Sequence, residues 1–590
     1  MTHDPPQPDD VTPVQAGSDA PAVLPDPPMP APRRREPTAD ETVKETIESI
    51  VIAFILAFVF RAFIVEPFII PTGSMAPTLL GAHVQMNCAS CGYRFDMGVM
   101  PEPNVEEDGI TDALVLSQVK DAACPMCNYR VVADIGSRVR AGDRILVDKF
   151  STHFADPSRW DVIVFKAPHG EYVNGQPAPR ANFIKRLVGL PGERVCILDG
   201  NIYVAPAGTE DFRIARKTDP DANRHWQAIQ RTAWQPVYYS QYVPVQDARA
   251  DGPGRDARHV FRVPWEVASG DWSLGTASRA SRVYRFKGGR GEIRFAMQSQ
   301  DEPGTIAYDA HVTKHAYNMA AGATGKATQP IEDIRLACAF TPTSDHATLT
   351  LSTTARLDIP ENGVETLAAT LTRAGKVELA ATSPEGVTRP LGVAAEVKPL
   401  KPGIATEVEL WLVDDEASVW VNGERVIVQR FDLTWDQLAR RPAQADTPDV
   451  RIAIDADGPA ELRRVELDRD LYYFPKSERY TAFHRAQAKR INGRLEIGSA
   501  PLDLKTRDVE HDAEFFVLGD NQAASDDGRV WSDVNGWVQQ RYFDGDFRPG
   551  VVPRSLLVGR AFMVYYPAPH GSSPQAKGIF PNFGRLRFIH

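Results

Sequence analysis

From Ile47 to Val65 the chain is apolar at every position except Glu48, Ser49 and Arg61. Those 19 residues wound as an α-helix span roughly 28 Å, close to the thickness of one bilayer core. Glu48 and Arg61 fall near opposite ends, where ionisable side chains can reach the interface. Arg33, Arg34, Arg35 and Lys44 precede the run, and the positive-inside rule keeps that side cytoplasmic. A cleaved secretory signal fits poorly, because the run starts late and no A-x-A site closes it; a buried core helix is the bland alternative. The expectation is an uncleaved membrane anchor over residues 43–66. Residues 1–42 ahead of it carry PPQPDD, PDPPMP and APRRREP, too few large apolar side chains to offset the entropy of ordering, and read as a disordered tail.

A chain of 590 residues exceeds what one hydrophobic core organises, so several domains are expected. A net charge of −11 argues against nucleic acid as a partner, since phosphate recognition needs a basic face. Six cysteines are too few for a disulfide scaffold in a chain of this length, and four of them form two CxxC pairs, which points to metal.

Directly beyond the apolar run comes PTGSMAPTLL, Pro71–Leu80, with Ser74 held between a glycine and a methionine and a proline on either side. A nucleophilic serine needs a base. His153, His169, His311, His315 and His346 are scattered through loop-like contexts, and none sits in a motif like a protease triad. The block FIKRLVGLPGERV, Phe183–Val195, offers Lys185 among Phe183, Ile184, Leu187 and Val188. Lysine can act as a base only when neutral, and burial beside apolar groups depresses its pKa. The plain reading of Lys185 is an edge residue pointing to solvent. RWDVIVFKAP, from Arg159, and GDRILVDKF, from Gly142, read as buried strands. Near the C-terminus stand FVLGDNQAASDDGRVW, Phe516–Trp531, and VGRAFMVYYP, Val558–Pro567.

Anchor, serine box, GDRILVDKF, DVIVFK, FIKRLVGLPGERV and the GDN box, in that order, resemble the type I signal peptidase family of membrane-anchored Ser-Lys endopeptidases. The resemblance covers roughly residues 40–80, 140–205 and 485–570. It implies a mainly β fold: a coiled antiparallel catalytic domain built from 67–82, 140–205 and 485–590, behind an N-terminal transmembrane helix. Carried over by position, Ser74 is the nucleophile and Lys185 its base. The Ser74 N–H and the Thr72 hydroxyl form the oxyanion hole, Ser525 orients the lysine, and Asp527 with Arg529 forms a supporting ion pair. Gly519, Asp520 and Asn521 shape the turn behind the site. Phe68, Ile70, Pro71, Met75, Leu79 and Ile184 match positions lining shallow pockets that accept alanine and exclude larger side chains; ordinary core packing is the competing reading for all six. The strand before Ser74 pairs with extended substrate through its backbone. The implied partners are signal peptides of exported preproteins and the lipid bilayer. The implied location is the bacterial cytoplasmic membrane, single-pass, with the N-terminus cytoplasmic and the catalytic domain outside. Catalysis needs no cofactor on this reading.

Two stretches depart from that pattern. Residues 83–139 carry NCASCGYRF and CPMCNYR, placing Cys88, Cys91, Cys124 and Cys127 as two knuckles. Four thiolates from two tight turns close a tetrahedral sphere with no open position, the arrangement of a structural Zn²⁺ ribbon; two disulfides are the alternative, favoured by an oxidising exterior. Cys196 and Cys338 read as isolated core residues. Residues 206–484 form the larger insertion, with short alternating runs such as ATLTLSTTARLDI and VELWLVDDEASVWVNGERVIV, where Asp-Asp and Asn-Gly mark hairpin turns. This is the pattern of an antiparallel β-sandwich, similar in texture to concanavalin-type jelly rolls. A carbohydrate or envelope polymer is a candidate ligand. Trp265, Trp272, Trp411 and Trp420 could stack on sugars, although buried sandwich aromatics are the commoner case.

Two other functions compete with an active peptidase. A membrane-tethered binding protein with an inert core could lose Ser74, Lys185 or Ser525, and all three are present. A Ser-Lys self-cleaving repressor would carry a DNA-binding helical module and no anchor, the reverse of what is seen.

Overall fold

Between Ala39 and Phe63 the sequence holds no glycine or proline, and these 25 residues form one helix. It stops where β-branched Ile64 and Val65 precede Glu66-Pro67, a dipeptide that biases the backbone towards extended conformations. The stretch Thr46–Phe63 is long and apolar enough to cross a membrane. The computed structural model describes residues 39–87, 93–99, 139–170, 181–239, 260–261, 265–274, 283–295, 305–306, 332–358, 363–441, 448–473, 490–491, 494–495, 502–508, 512–522, 524–531, 533–567 and 583–590. The tail expected over residues 1–42 lies outside them up to residue 38, as do Cys88, Cys91, Cys124 and Cys127.

Among the described residues after the helix the fold is mainly β. One antiparallel sheet runs in the order Val65–Ile69, Arg144–Asp148, Leu557–Tyr566, Val162–Lys166, Asn182–Gly189, Glu514–Leu518, Val551–Pro553, with Arg587–Phe588 also pairing to Leu557–Tyr566. The blocks beginning at Gly142, Arg159, Phe183, Phe516 and Val558 thus all contribute strands to this sheet, and distant parts of the chain meet in one layer. Val65–Ile69 is the outermost strand of this path, which suits Pro67, a residue that cannot donate to a ladder. A second sheet, Arg213–Ile214, Asn201–Pro206, Glu193–Leu198 and Leu502–Asp503, packs nearby, and Leu187, Val195, Ile197, Phe515 and Val517 share one buried core.

Strands between Gln235 and Arg469 make two eight-stranded antiparallel sheets. Their facing side chains, including Phe286, Ile293, Leu336, Phe340, Leu349, Leu351, Leu410 and Val419, fuse into one apolar core, the sandwich expected from the alternation. Both expected hairpin turns are two residues long: Asp414 and Asp415 have φ of 50° and 51°, and Asn422 and Gly423 have φ of 51° and 83°. Left-handed pairs of this kind match the twist of the flanking strands. Ahead of the sandwich, His83–Asn87 pairs with Arg94–Gly98, Asn87 standing opposite Arg94. Cys196 and Cys338 are buried and free of disulfides.

Candidate active site

The outermost strand ends at Ile69, opposite Arg144, and the Ile70 N–H still reaches the Asp143 carbonyl at 2.9 Å. The chain then leaves the sheet in a compact turn: Ala76 N donates to Gly73 O at 3.0 Å and Leu79 N to Met75 O at 2.9 Å. The base of the turn is closed by Asp143, whose N–H donates to Leu80 O at 2.8 Å and whose carboxylate accepts from Leu80 N at 3.1 Å. So tight a closure admits no side chain at Gly142, where a Cβ would stand 1.7 Å from the Ile70 carbonyl oxygen. Ile70, Met75 and Leu79 pack into a core with Ile145, Val147, Val162 and Val164, which anchors the turn, and Ser74 within it is half-buried.

Lys185 lies in Asn182–Gly189, opposite Ile163 of Val162–Lys166. Its side chain is buried, and its Nζ is 3.0 Å from Ser74 Oγ and 3.1 Å from the Ile184 carbonyl oxygen. Among the described residues no other side chain hydrogen-bonds the Ser74 hydroxyl. Among the described residues no carboxylate forms an ion pair with the amine. Burial therefore pulls the Lys185 pKa down to about 8, against the pull of Asp527 and Asp526 and with Arg529 acting in the same direction as burial. An amine at this distance, neutral at mildly alkaline pH, is able to take the hydroxyl proton.

Asn521 fixes the serine turn directly, its N–H donating to Ser74 O at 3.0 Å and its Nδ2 to Gly73 O at 2.9 Å. Asp520 accepts from Thr78 Oγ1 and, at 2.7 Å each, from Nε and Nη2 of Arg186. Gly519 passes so close to the turn that a Cβ there would lie 2.5 Å from Ser74 O. Its N–H donates to Asp527 Oδ2 at 2.9 Å. Burial alone would raise the Asp527 carboxyl, but Arg529, at 2.6 and 2.8 Å, outweighs it and holds the pKa low. Arg529 also donates to Gln522 O at 3.1 Å, so the ion pair braces the whole loop. Ser525 is fully buried, and its hydroxyl makes no hydrogen bond to Lys185. Thr72 is exposed beside Ser74.

The six apolar pocket candidates divide. Ile70, Met75 and Leu79 are core side chains, while Phe68 and Ile184 are only partly buried against that core and Pro71 is exposed. The positions left at least partly open are therefore Phe68, Pro71 and Ile184. Arg186 is the residue that reading the sequence missed. Neighbours in a strand face opposite ways, so in a Lys-Arg pair one cation meets the serine and the other is driven to the back of the turn. There it must be paired, and besides Asp520 it donates to the Trp160 carbonyl at 2.6 Å and the His590 carbonyl at 3.1 Å. A second basic residue inside an apolar strand was the available signal.

A family model described as signal peptidase, peptidase S26, matches residues 43–111, 129–266 and 464–566, more than half of the chain. The chain belongs to the signal peptidase family. Its curated relatives include signal peptidase I of Leptolyngbya laminosa, 36% identical over 81 residues that make up 14% of this chain and 39% of the relative. Probable signal peptidase I-1 of Synechocystis sp. is 44% identical over 62 residues, 10% of this chain and 31% of the relative. Signal peptidase I V of Bacillus subtilis is 31% identical over 97 residues, 16% and 51%. The chain spans less than two thirds of the length of each. Residues 267–463, outside the family match, hold most of the sandwich. Solved structures similar to the chain include a carbohydrate-binding module, CBM66, from Bacillus subtilis, with TM-score 0.21 and 9% identity over 35% of this chain and 95% of that one. A galectin-like protein of unknown function from Bacillus subtilis has TM-score 0.23 and 10% identity over 40% and 98%. Scores this low say nothing of a ligand.

The aromatic sugar candidates are mostly interior. Trp265, Trp411 and Trp420 are buried and Trp272 is half-buried. Trp411 and Trp420 stack at 4.4 Å and are covered by Trp226 and Trp234, from the helix Trp226–Ala233 and its end.

Proposed function

We propose that this chain is a signal peptidase I: a membrane-anchored serine endopeptidase that removes signal peptides from exported preproteins after small residues of the Ala-X-Ala type. The observation that carries the reading is the buried amine of Lys185 at 3.0 Å from the Ser74 hydroxyl, where burial outweighs the pull of Asp527 and Asp526. In its neutral form Lys185 takes the Ser74 proton as Oγ attacks the scissile carbonyl. The oxyanion is met by the Ser74 N–H and the Thr72 hydroxyl, donors of a kind worth roughly 3–4 kcal/mol of barrier each. Protonated Lys185 then hands its proton to the leaving amine, and water, activated by the same amine, releases the acyl group. Ser525, Asp527, Arg529, Gly519, Asp520 and Asn521 support the pair from behind.

Substrate adds as an extended strand along the outer edge of Val65–Ile69, where among the described residues no strand pairs on that side. Phe68, Pro71 and Ile184 shape the walls that admit alanine, over a floor of Ile70, Met75 and Leu79. The anchor helix holds the enzyme in the bacterial cytoplasmic membrane with the catalytic domain outside, so the cut falls at the membrane surface where a signal peptide emerges. Cys88, Cys91, Cys124 and Cys127 would hold one structural Zn²⁺; metal analysis finding no zinc and four oxidised thiols would replace it with disulfides. The test of the whole reading is incubation of the full chain with a synthetic signal peptide beside Ser74→Ala and Lys185→Ala. Cleavage by the parent and none by either variant is expected, and wild-type turnover in either variant overturns the assignment.

A further inference from the structure

The sandwich is joined to the serine turn by a buried polar seam. Just after the strand Arg213–Ile214, Arg216 and Lys217 run into the sandwich hairpin. Arg216 donates to the carbonyls of Asp414 at 3.0 Å, Asp415 at 3.2 Å and Phe431 at 3.0 Å. Lys217 donates through its N–H to Asp414 Oδ2 at 2.8 Å, and its Nζ lies 2.6 Å from Asp414 Oδ1 and 2.8 Å from Asp470 Oδ2. Asp333 closes the cluster, accepting from Asp414 N at 3.2 Å. The ammonium thus sits where a cation bound by these carboxylates would sit.

On its other side the same ammonium lies over the rings of Trp160, at 5.5 Å, and Tyr473, at 5.6 Å. Trp160 is fully buried and adopts a left-handed φ of 74°, a conformation that costs any residue but glycine. Its polar contacts divide cleanly. The indole N–H donates to Arg216 O at 3.2 Å and the ring covers Lys217. Its main chain belongs to the active-site sheet, with its N–H on Leu187 O at 2.7 Å and its carbonyl accepting Arg186 Nη1 at 2.6 Å. Arg186 in turn holds Asp520, next to the Asn521 that holds Ser74. A glycine would satisfy the backbone here without strain. The side chain present is the one that reaches the insertion.

We infer that Trp160 and Lys217 are positioning residues for the reaction: they transmit the packing of the sandwich insertion to Arg186, and through it to the Ser74–Lys185 pair, so that the insertion is a working part of the catalytic centre. The inference rests on the Ser-Lys reading above. Its readout is the titration of Lys185, which is faced by Asp520, Asp526, Asp527, Arg529 and His169 besides Phe183. A loosened Arg186 admits water behind the lysine strand, and a less buried lysine regains part of its ordinary pKa.

The test is kcat and KM against pH, with a synthetic signal peptide, for the full-length protein and its Lys217→Met, Trp160→Gly and Ser74→Ala variants. Trp160→Gly suits the left-handed backbone and keeps the carbonyl for Arg186 while losing the contact with Lys217. Both seam variants should lose about tenfold in kcat/KM, mainly in kcat, and their activity should rise with pH about half a unit or more later than in the parent. A variant that is merely less folded would lose amplitude without moving that midpoint. If Lys217→Met does not fold, Trp160→Gly decides. A folded Trp160→Gly with the parent's rate and midpoint overturns the inference, and failure of both to fold does the same by assigning the seam to stability alone. Cleavage by Ser74→Ala would overturn the Ser-Lys reading itself, a result distinguishable from a dead Ser74→Ala beside an unaffected Trp160→Gly.

Discussion

Two lysines, both buried, have opposite fates in this protein. Lys185 is 4% exposed and Lys217 1%, so the cost of removing each ammonium from water is similar. Lys185 meets a hydroxyl and a carbonyl, and its pKa falls to about 8. Lys217 meets two carboxylates, and although burial alone would lower its pKa, Asp414 and Asp470 drive it above the ordinary value. Burial sets the penalty, and the partners decide whether a charge survives it. The same side chain therefore loses its proton readily in one place and is held as a cation in the other. Asp414 shows the reverse face of the second site: burial raises its carboxyl to about 6 in spite of Lys217, because more carboxylates crowd the pocket than one ammonium can neutralise.

Replacing each lysine by methionine is the sharpest way to break this comparison. Lys185→Met, like Ser74→Ala, should lower signal-peptide cleavage by about a thousandfold or more, with the far-UV circular dichroism unchanged. Stability should move in opposite directions. Lys217→Met leaves Asp414 and Asp470 buried without their cation and should cost about 3–5 kcal/mol in urea unfolding at pH 7. Lys185→Met removes an unpaired buried amine and should stabilise by up to about 3 kcal/mol at the same pH. The signs follow from linkage. The folded pKa of Lys185 lies below its unfolded value, so its penalty is complete below pH of about 8 and fades as pH rises towards 10.5. That of Lys217 lies above, so its contribution is complete below the unfolded value and is lost only as pH rises through the folded one. Equal destabilisation by both substitutions would collapse the distinction.

A titration sharpens it further. In the parent, kcat/KM should climb about tenfold per unit below an apparent pKa of about 8 and level off above it, as the neutral fraction of Lys185 saturates. A flat profile between pH of about 6 and 9 would remove the neutral amine from the mechanism. The smallest expected effect belongs to Asn521→Ala. It deletes the side-chain bond to Gly73 O and keeps the main-chain bond to Ser74 O, so about 1 kcal/mol, or some fivefold in kcat/KM, should be lost.

Much of the site was open to reading because its signals are local. An apolar run, a serine locked in a Pro/Gly turn and a lysine inside an apolar strand are each properties of a dozen consecutive residues, and the pairing of Ser74 with Lys185 comes from the resemblance to the family's order of blocks, since Lys185 alone reads as an edge residue. The sandwich showed itself through period-two alternation and its Asp-Asp and Asn-Gly turns. The pocket candidates were legible only as apolar. That Ile70, Met75 and Leu79 face the core while Pro71 stays exposed depends on how the turn closes on Asp143. Ser525, matched by position to a lysine-orienting role, is buried at the site without bonding Lys185, a matter of angstroms that no motif carries.

What the sequence by itself determined is the inventory: a helix apolar enough for a bilayer, strands with one buried face, and the ionisable residues placed inside them. What only the tertiary structure decided is which of those charges neutralise one another. Arg186 finds Asp520 across 334 positions of chain and Lys217 finds Asp414 across 197, and nothing in the residues flanking either cation announces its partner. A buried charge takes its energy from atoms within a few ångströms in space, whereas periodicity and propensity report only on neighbours along the chain; that is why the partners of the two lysines appear only in the fold.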